Sequence, residues 1–383
     1  MKKIAVLGIT GSIGLSTVEV VRKHPNDFQI VLASANSNYL KLFDFAAEFN
    51  ITELVITNSA LKQKITDIPK SSNLTFGEDQ LQEKILSVDC DIILNAISGS
   101  AGLRSSITTI TKGTDLALAN KESLIMAGHK IMKMLKDSNS KLIPVDSEHS
   151  AILQAIGSST TEEIRSIIIT ASGGPFRDLP LNEFENITLE DTLKHPTWDM
   201  GAKITIDSAT MMNKGLEVIE AHWLFNKSFE DIKAVIHPQS IVHSFVEFID
   251  GSILAQLSFP TMQIPILYAL THPNRIKSTI PKTSILELPN LNFKELTSDR
   301  YPLYGVAINA GVEGGILPTV LNASNEAAID LFLDKKICFN YISRIVEKQI
   351  DKFHNFTDPS IEEIIKVNRE VYLQTLQNYK NLI

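Results

Sequence analysis

Over the first 145 residues, short apolar runs alternate with stretches in which apolar positions recur every three or four residues. The apolar runs fall at residues 4–7, 30–33, 54–56, 91–96, 115–119 and 142–145. Runs of this length mark strands buried on both faces, and the amphipathic stretches between them mark helices. Strand and helix in alternation predict an α/β fold, here a Rossmann-like, doubly wound parallel sheet. From 146 to 270 the pattern changes. Runs at 167–170 and 204–206 read as strands, and two further runs at 242–249 and 252–257 flank Asp250-Gly251, a two-residue hairpin signal. A central α/β catalytic domain with a mixed sheet is expected there. Residues 271–298, rich in Pro, Asn and Lys, read as a linker. Beyond 299 the periodicity is helical, near 302–313, 319–334, 341–353 and 360–378, and Asp358-Pro359-Ser360 supplies a start signal for the last. The expected organisation is thus 1–145, 146–270, a linker at 271–298, and a C-terminal α-helical bundle at 299–383.

The first apolar run leads straight into Gly8-Ile9-Thr10-Gly11-Ser12-Ile13-Gly14, followed by an amphipathic stretch to about residue 22. A strand, a glycine-rich turn and a helix are the order that a dinucleotide pyrophosphate needs. The first glycine permits a tight turn, the next lets backbone N–H groups approach the phosphates, and the last packs helix on sheet. The spacing G-x-x-G-x-x-G departs from the usual G-x-G-x-x-G, and an ordinary strand-to-helix turn is the competing reading.

Composition narrows the partners. Lys and Arg number 36 against 44 Asp and Glu, a net charge of −8, which argues against a nucleic-acid binder. Only Cys90 and Cys338 are present, so neither a disulfide framework nor a cysteine-rich zinc site can be built. The N-terminal apolar run is too short for a signal-peptide core. No apolar run approaches the roughly 20 residues of a membrane span. A cytoplasmic chain with no membrane partner is expected.

Parallel sheets bind ligands beyond the carboxyl ends of their strands, so the residues after each strand carry the chemistry. The stretch 33–38 after the second strand holds Ser37 and Asn38 but no acid. An acid there would repel a 2′-phosphate, so NADPH is favoured over NADH; a polar loop without a cofactor role is the alternative. Asp146 and Glu148 flank Ser147 after the sixth run. On an extended segment alternate side chains share a face, and converging carboxylates suit a hard divalent ion such as Mg²⁺ or Mn²⁺; a solvated surface pair competes with this. Ser172-Gly173-Gly174, Ser208, Asn213 and Lys214 offer hydroxyls, an amide and an ammonium for a phosphate. Glu217 is a candidate third carboxylate ligand. His195-Pro196-Thr197-Trp198 reads as a loop able to cover an apolar patch, or as an ordinary surface loop.

Taken together, the ordered runs GITGSIG, LANKES, PVDSEH, ASGGPFR, HPTWDMG, DSATMMNKGLE, IHPQSIVHS and LNASNE resemble the 1-deoxy-D-xylulose 5-phosphate reductoisomerase family over nearly the whole chain. The resemblance implies NADPH- and metal-dependent isomerisation and reduction of a small phosphorylated sugar in isoprenoid precursor synthesis, carried out by a homodimer. It implies Asp146, Glu148 and Glu217 as metal ligands. Substrate contacts implied are Lys121, Glu122, Ser147, Glu148, Ser172, His195, Trp198, Ser208, Asn213, Lys214 and Glu217. It places Thr10, Gly11, Ser12, Ile13, Ser37, Asn38, Asn120, Glu122 and Gly201 at the cofactor, and His195 with Trp198 in a flap closing over substrate. Lys121, Glu148 and metal-bound water are all placed to move protons, with His149 as an assisting group or as support beside the metal site. Ser37 stands where many members carry a basic residue. Two rivals are a semialdehyde dehydrogenase, which needs a cysteine nucleophile in the second domain, and a catalytically inactive dinucleotide-sensing homologue.

Overall fold

The computed structural model describes every residue except Asp199, inside the expected flap run, and Pro281, inside the expected linker. The chain divides into two compact units. The first comprises Met1–Ser123, Lys130–Ser150 and Thr261–Pro281; the second comprises Leu124–His129, Ala151–Pro260 and Lys282–Ile383.

The first unit is a parallel sheet. Its strands are β1 (Lys2–Leu7), β2 (Phe28–Ala35), β3 (Glu53–Ile56), β4 (Asn73–Phe76), β5 (Ile92–Asn95), β6 (Asp115–Leu118) and β7 (Leu142–Pro144). They lie in the order β4-β3-β2-β1-β5-β6-β7, all pairs parallel. Helices α1 (Ser12–Lys23), α2 (Tyr39–Phe49), α3 (Glu78–Ser87), α4 (Leu103–Lys112) and α5 (Lys121–Lys136) alternate with the strands. Ala5, Leu7, Leu32, Val55 and Ile93 pack against Leu81 and Ile85 of α3 to form one core cluster. The strand order reverses at β1, between β2 and β5, and this is the crevice where such sheets take ligands. The doubly wound sheet read from the apolar runs is therefore the one observed. β4 was not foreseen, because it is a short edge strand with no fully buried residue.

β7 leads into α6 (Ser147–Ile156), which crosses into the second unit. There β8 (Ile164–Ala171), β9 (Ile232–Ile236), β10 (Val242–Phe248), β11 (Ile253–Leu257) and β12 (Lys294–Glu295) form a mixed sheet ordered β11-β10-β8-β9-β12. β8 and β9 pair parallel and the rest antiparallel. The Asp250-Gly251 turn joins β10 to β11 with Gly251 at φ +88. Helices α7 (Leu189–Thr192), α8 (Ala202–Ala209) and α9 (Met212–Phe225) lie between β8 and β9, and α10 (Gln263–Thr271) belongs to the first unit.

The C-terminal helices are α11 (Pro302–Glu313), α12 (Leu317–Leu333), α13 (Asn340–Lys352) and α14 (Ile361–Asn378), as the periodicity indicated. α12 is buried on nearly every face, which suits the central helix of a bundle. Ser360 caps α14 in a reciprocal box with Glu363. No helix among the described residues is long and apolar enough to cross a membrane.

Three readings change. Residues 204–206 are not a strand but the middle of α8; a three-residue β-branched run is too short to set its own period, and burial on a helix face prevailed. The expected linker at 271–298 is divided: its first residues, with α10, belong to the first unit, and β12 joins the second sheet. Lys2 Nζ donates to Leu270 O at 2.9 Å and Lys23 Nζ to Gln263 Oε1 at 2.7 Å, which ties the segment to the first unit. Asp146 and Glu148 do not lie on an extended segment, because α6 begins at Ser147.

Candidate active site

Leu7 ends β1, and Gly8 turns the chain with φ +77. The N–H groups of Gly8 and Ile9 donate to Ser34 O at 3.0 and 2.9 Å, tying the turn to the end of β2. Gly8 and Gly14 leave no room for a side chain. A Cβ on Gly8 would lie 2.7 Å from Ala96 O, and one on Gly14 would lie 2.4 Å from Gly8 O. Gly11 differs. It caps α1 in ordinary extended conformation, and a Cβ there would meet only Gly8 O, at 3.4 Å. The first N–H groups of a helix have no acceptor within it, and Gly11 and Ser12 are exposed while Thr10 and Ile13 are half-buried. The N-terminus of α1 is thus open to a phosphate. After β2, Ser37 and Asn38 are exposed, and Asn38 Oδ1 accepts from Lys41 N at 3.3 Å to cap α2.

Beyond β6, buried Asn120 caps α5. Its side-chain amide donates to Ile97 O at 2.8 Å and Gly99 O at 2.7 Å and accepts from Ser123 N at 3.1 Å. A Cβ on Gly102 would strike it at 2.4 Å. These bonds staple the loop after β5 to the start of α5, so the side chain of Asn120 is structural; its backbone N–H is engaged as well, donating to Asn95 O at 3.1 Å. Lys121 and Glu122 follow in the first turn, both buried. Lys121 Nζ pairs with Asp146 Oδ2 at 2.6 Å. Asp146 precedes α6 and Glu148 lies in its first turn, where the helix dipole favours carboxylates. One oxygen of each lies within 4.8 Å of the other, so the two acids converge through a helix start and not through strand alternation. Ser147 donates to Glu148, and His149 is fully buried.

The second unit assembles the remaining candidates. β8 ends at Ala171, and Gly173 and Gly174 take φ +86 and +68. A Cβ on Gly174 would lie 2.8 Å from Ser208 O, so the turn rests on the end of α8, where Ser208 is buried. Asp207 beside it is held by Lys203 at 3.1 Å and Asn325 at 2.7 Å, which gives the LNASNE run a structural part. Met211 takes φ +59 between α8 and α9. On the first turns of α9, Asn213 and Lys214 both donate to Glu217; Lys214 and Glu217 are almost wholly buried. Gly201 caps α8.

His195 reaches Ser172 Oγ through Nε2 at 3.0 Å. Its Nδ1 accepts from the N–H groups of Thr197 at 3.2 Å and Trp198 at 2.9 Å. Nδ1 therefore carries no proton, and Nε2 donates to Ser172. Ser172 Oγ also accepts from Gly174 N at 3.2 Å, which leaves its own O–H to donate to an anion. Trp198 packs edge-on to His243, with ring centroids 6.2 Å apart. Burial, reinforced by the positive charge of Arg177, pushes the His195 pKa down to about 4. An unfolded histidine titrates near 6.5, so the stabilisation from neutral His195 is complete above about pH 6.5 and declines as pH falls towards 4. Tryptophan emission is expected to change over that window as the loop loosens, and His195→Gln is expected to remove the change. The same transition in the variant would show that another group causes it.

Motif reading assigned no role to Arg177, Arg300 or Tyr301. Arg177 Nη1 donates to Ser172 O at 3.0 Å, and Tyr301 Oη donates to Gly173 O at 3.1 Å. Arg177 stood inside a quoted run; nothing local marked the other two.

Comparison with known proteins shows the family. Family profiles described as 1-deoxy-D-xylulose 5-phosphate reductoisomerase match residues 4–128, as its C-terminal domain residues 142–225, and as DXP reductoisomerase C-terminal domain residues 257–373. A reductoisomerase of Clostridium perfringens is 41% identical over 99% of this chain and 100% of its own length, and one of Microcystis aeruginosa is 45% identical over 95% of each. Among solved structures, a DOX-P reductoisomerase in complex with NADPH, fosmidomycin and magnesium superposes with TM-score 0.93 at 37% identity, covering 99% of both chains. The Zymomonas mobilis enzyme in complex with NADPH gives 0.90 at 39% identity, covering 98% of both. The matched stretches together span most of the chain, and the chain belongs to the 1-deoxy-D-xylulose 5-phosphate reductoisomerase family.

Proposed function

We propose that these groups serve the family's reaction, the NADPH- and divalent-metal-dependent conversion of 1-deoxy-D-xylulose 5-phosphate to 2-C-methyl-D-erythritol 4-phosphate, with the following division of labour. Asp146, Glu148 and Glu217 hold Mg²⁺ or Mn²⁺. Three carboxylates without a thiolate or a ligating imidazole are the donor set a hard cation takes. A buried carboxylate needs a positive partner, and Asp146 and Glu217 each have an ammonium beside them, Lys121 and Lys214. Lys214 can exchange Glu217 for the substrate's phosphate, joined by Ser172, Ser208 and Asn213. Lys121, Glu122 and Ser147 meet the substrate's hydroxyls, and His195 with Trp198 closes over it. Thr10, Gly11, Ser12 and Ile13 hold the cofactor's pyrophosphate, Ser37 and Asn38 its adenosine end, and Asn120, Glu122 and Gly201 border its nicotinamide half. When bound, the ion supplies Lewis-acid stabilisation of charge on adjacent substrate oxygens and NADPH supplies the hydride. Proton transfers fall to Lys121 and Glu148, with His149 supporting Glu148.

The observation that carries this reading is the full-length likeness, at TM-score 0.93, to the reductoisomerase in complex with NADPH, fosmidomycin and magnesium. The intact carboxylates weigh against an inactive dinucleotide sensor, because converging acids without a cation repel one another. The deciding assay is NADPH oxidation with 1-deoxy-D-xylulose 5-phosphate. Turnover is expected with Mg²⁺ or Mn²⁺ and is lost in excess chelator; no oxidation under any metal condition would remove the reading.

The reading includes a cytoplasmic homodimer. Edge strand β11 exposes Ile253, Leu254 and Leu257, followed by exposed Phe259. An apolar edge of this kind favours pairing with a second copy, and a single-chain mass in sedimentation would exclude it.

A further inference from the structure

Ser172, Gly173 and Gly174 form the glycine turn of the proposed phosphate site. Two consecutive glycines in the left-handed region give the turn little restraint of its own, so its shape depends on what grips it. Arg177 bonds the carbonyl of Ser172 at 3.0 Å. The next carbonyl, Gly173 O, is buried and receives Tyr301 Oη at 3.1 Å from 128 residues away. The neighbouring Arg300 donates through Nη2 to both Phe176 O and Leu179 O, and its guanidinium lies 5.3 Å from the ring centre of Phe184. Two adjacent side chains thus hold both the apex and the exit of one loop.

Their placement explains why they can. Tyr301 is the cap residue of α11, and Pro302 at the first helical position fixes the backbone there. α11 packs closely on α9: a Cβ on Gly215 would lie 2.4 Å from Ala307 Cβ. Gly215 adjoins Lys214. The helix whose start grips the Ser172 turn is therefore the helix that seats the Lys214 segment. Tyr301 itself is 2% exposed, and burial raises its pKa above the ordinary phenol value, so its hydroxyl keeps the hydrogen that bonds Gly173 O.

We propose that Arg300 and Tyr301 are positioning residues for the substrate's phosphate. They set the Ser172 hydroxyl and the Lys214 ammonium in one rigid cradle without touching the substrate. The inference rests on the reading of Ser172 and Lys214 as phosphate contacts. Removing the Tyr301 hydroxyl leaves Gly173 O without its partner and frees the apex of the turn, which weakens binding of the phosphate and leaves the chemical step in place.

The test compares Tyr301→Phe, Ser172→Ala and the double variant in the complete enzyme with Mg²⁺ and NADPH. Tyr301→Phe deletes one oxygen and preserves the ring that fills the core. It is expected to raise KM for the phosphorylated substrate roughly five- to twentyfold, the range lost with one buried hydrogen bond, with kcat within twofold and NADPH affinity unchanged. The double variant is expected to fall clearly short of the product of the two single effects, because both act on the Ser172 contact. Arg300→Lys, which keeps the charge but not the fork, is expected to show a smaller rise of the same kind. If Ser172→Ala raises KM and Tyr301→Phe does not, or if the two effects multiply, the positioning role falls while the phosphate reading stands. If Ser172→Ala itself leaves KM unchanged, the phosphate reading falls first.

Discussion

Asp146→Asn, assayed with saturating NADPH and Mg²⁺, is expected to lower turnover by about three orders of magnitude while NADPH still binds. Lewis-acid stabilisation of developing charge is worth several kcal/mol, and about 4 kcal/mol corresponds to ~10³ in rate. Asparagine keeps the shape of the side chain but offers a neutral oxygen. It also removes the carboxylate charge that lies 2.6 Å from the Lys121 ammonium. Glu217→Gln removes the negative partner of Lys214 in the same way. Deleting one member of a buried ion pair destabilises, so thermal melting must accompany the kinetics. The expected signature is a turnover defect that persists where the variant is fully folded, together with an NADPH fluorescence titration like that of the parent. Turnover within tenfold of the parent in either variant would end the metal assignment.

The second large effect separates the three glycines of the first turn. Gly14→Ala would place a methyl 2.4 Å from Gly8 O and from the Ile9 carbonyl. These are backbone atoms of a turn that Ser34 already holds, and they cannot move aside cheaply. Overpacking of this kind costs about 1–3 kcal/mol or more, and the strain falls on the segment proposed to hold the pyrophosphate. A lower melting temperature and at least tenfold weaker NADPH binding are expected. Gly11→Ala is the contrasting case. Its methyl meets nothing closer than 3.4 Å and its backbone is one any residue adopts, so melting should be unaffected. Weakened NADPH binding in that variant would then report the cofactor's own approach. An unchanged NADPH affinity for Gly14→Ala would show that the turn is not where the cofactor is held.

Much of the fold was legible because its signals are local. Runs such as Ile4-Ala5-Val6-Leu7 are buried strands wherever they occur in a parallel sheet, and Ser360 with Glu363 start a helix by bonds to their own backbone. What misled was also local. Ile204-Thr205-Ile206 has the composition of a strand, yet it lies in α8 because its buried face is helical and Asp207 finds Lys203 one turn back and Asn325 across the core. Asp146 and Glu148 were paired on the geometry of a strand. They converge instead because α6 begins between them and places Glu148 in its first turn. β12 is Lys-Glu with no apolar residue, and β4, four residues at a sheet edge, carries only Leu74 and Phe76, neither fully buried.

The division between sequence and structure follows chain distance. The order of glycines, carboxylates, serines and lysines determined by itself the classes of ligand and the family, since each depends on the chemistry of a few neighbouring residues. Tertiary structure alone decided which atoms those side chains hold. Asn120 is committed to the loop after β5, and His195 is neutral with its proton on Nε2, because of neighbours that folding supplies. Tyr301 reaches Gly173 across 128 residues of chain. No spacing encodes a contact of that length; it arises because α11 packs on α9 while the Ser172 turn rests on the end of α8, the helix that leads into α9.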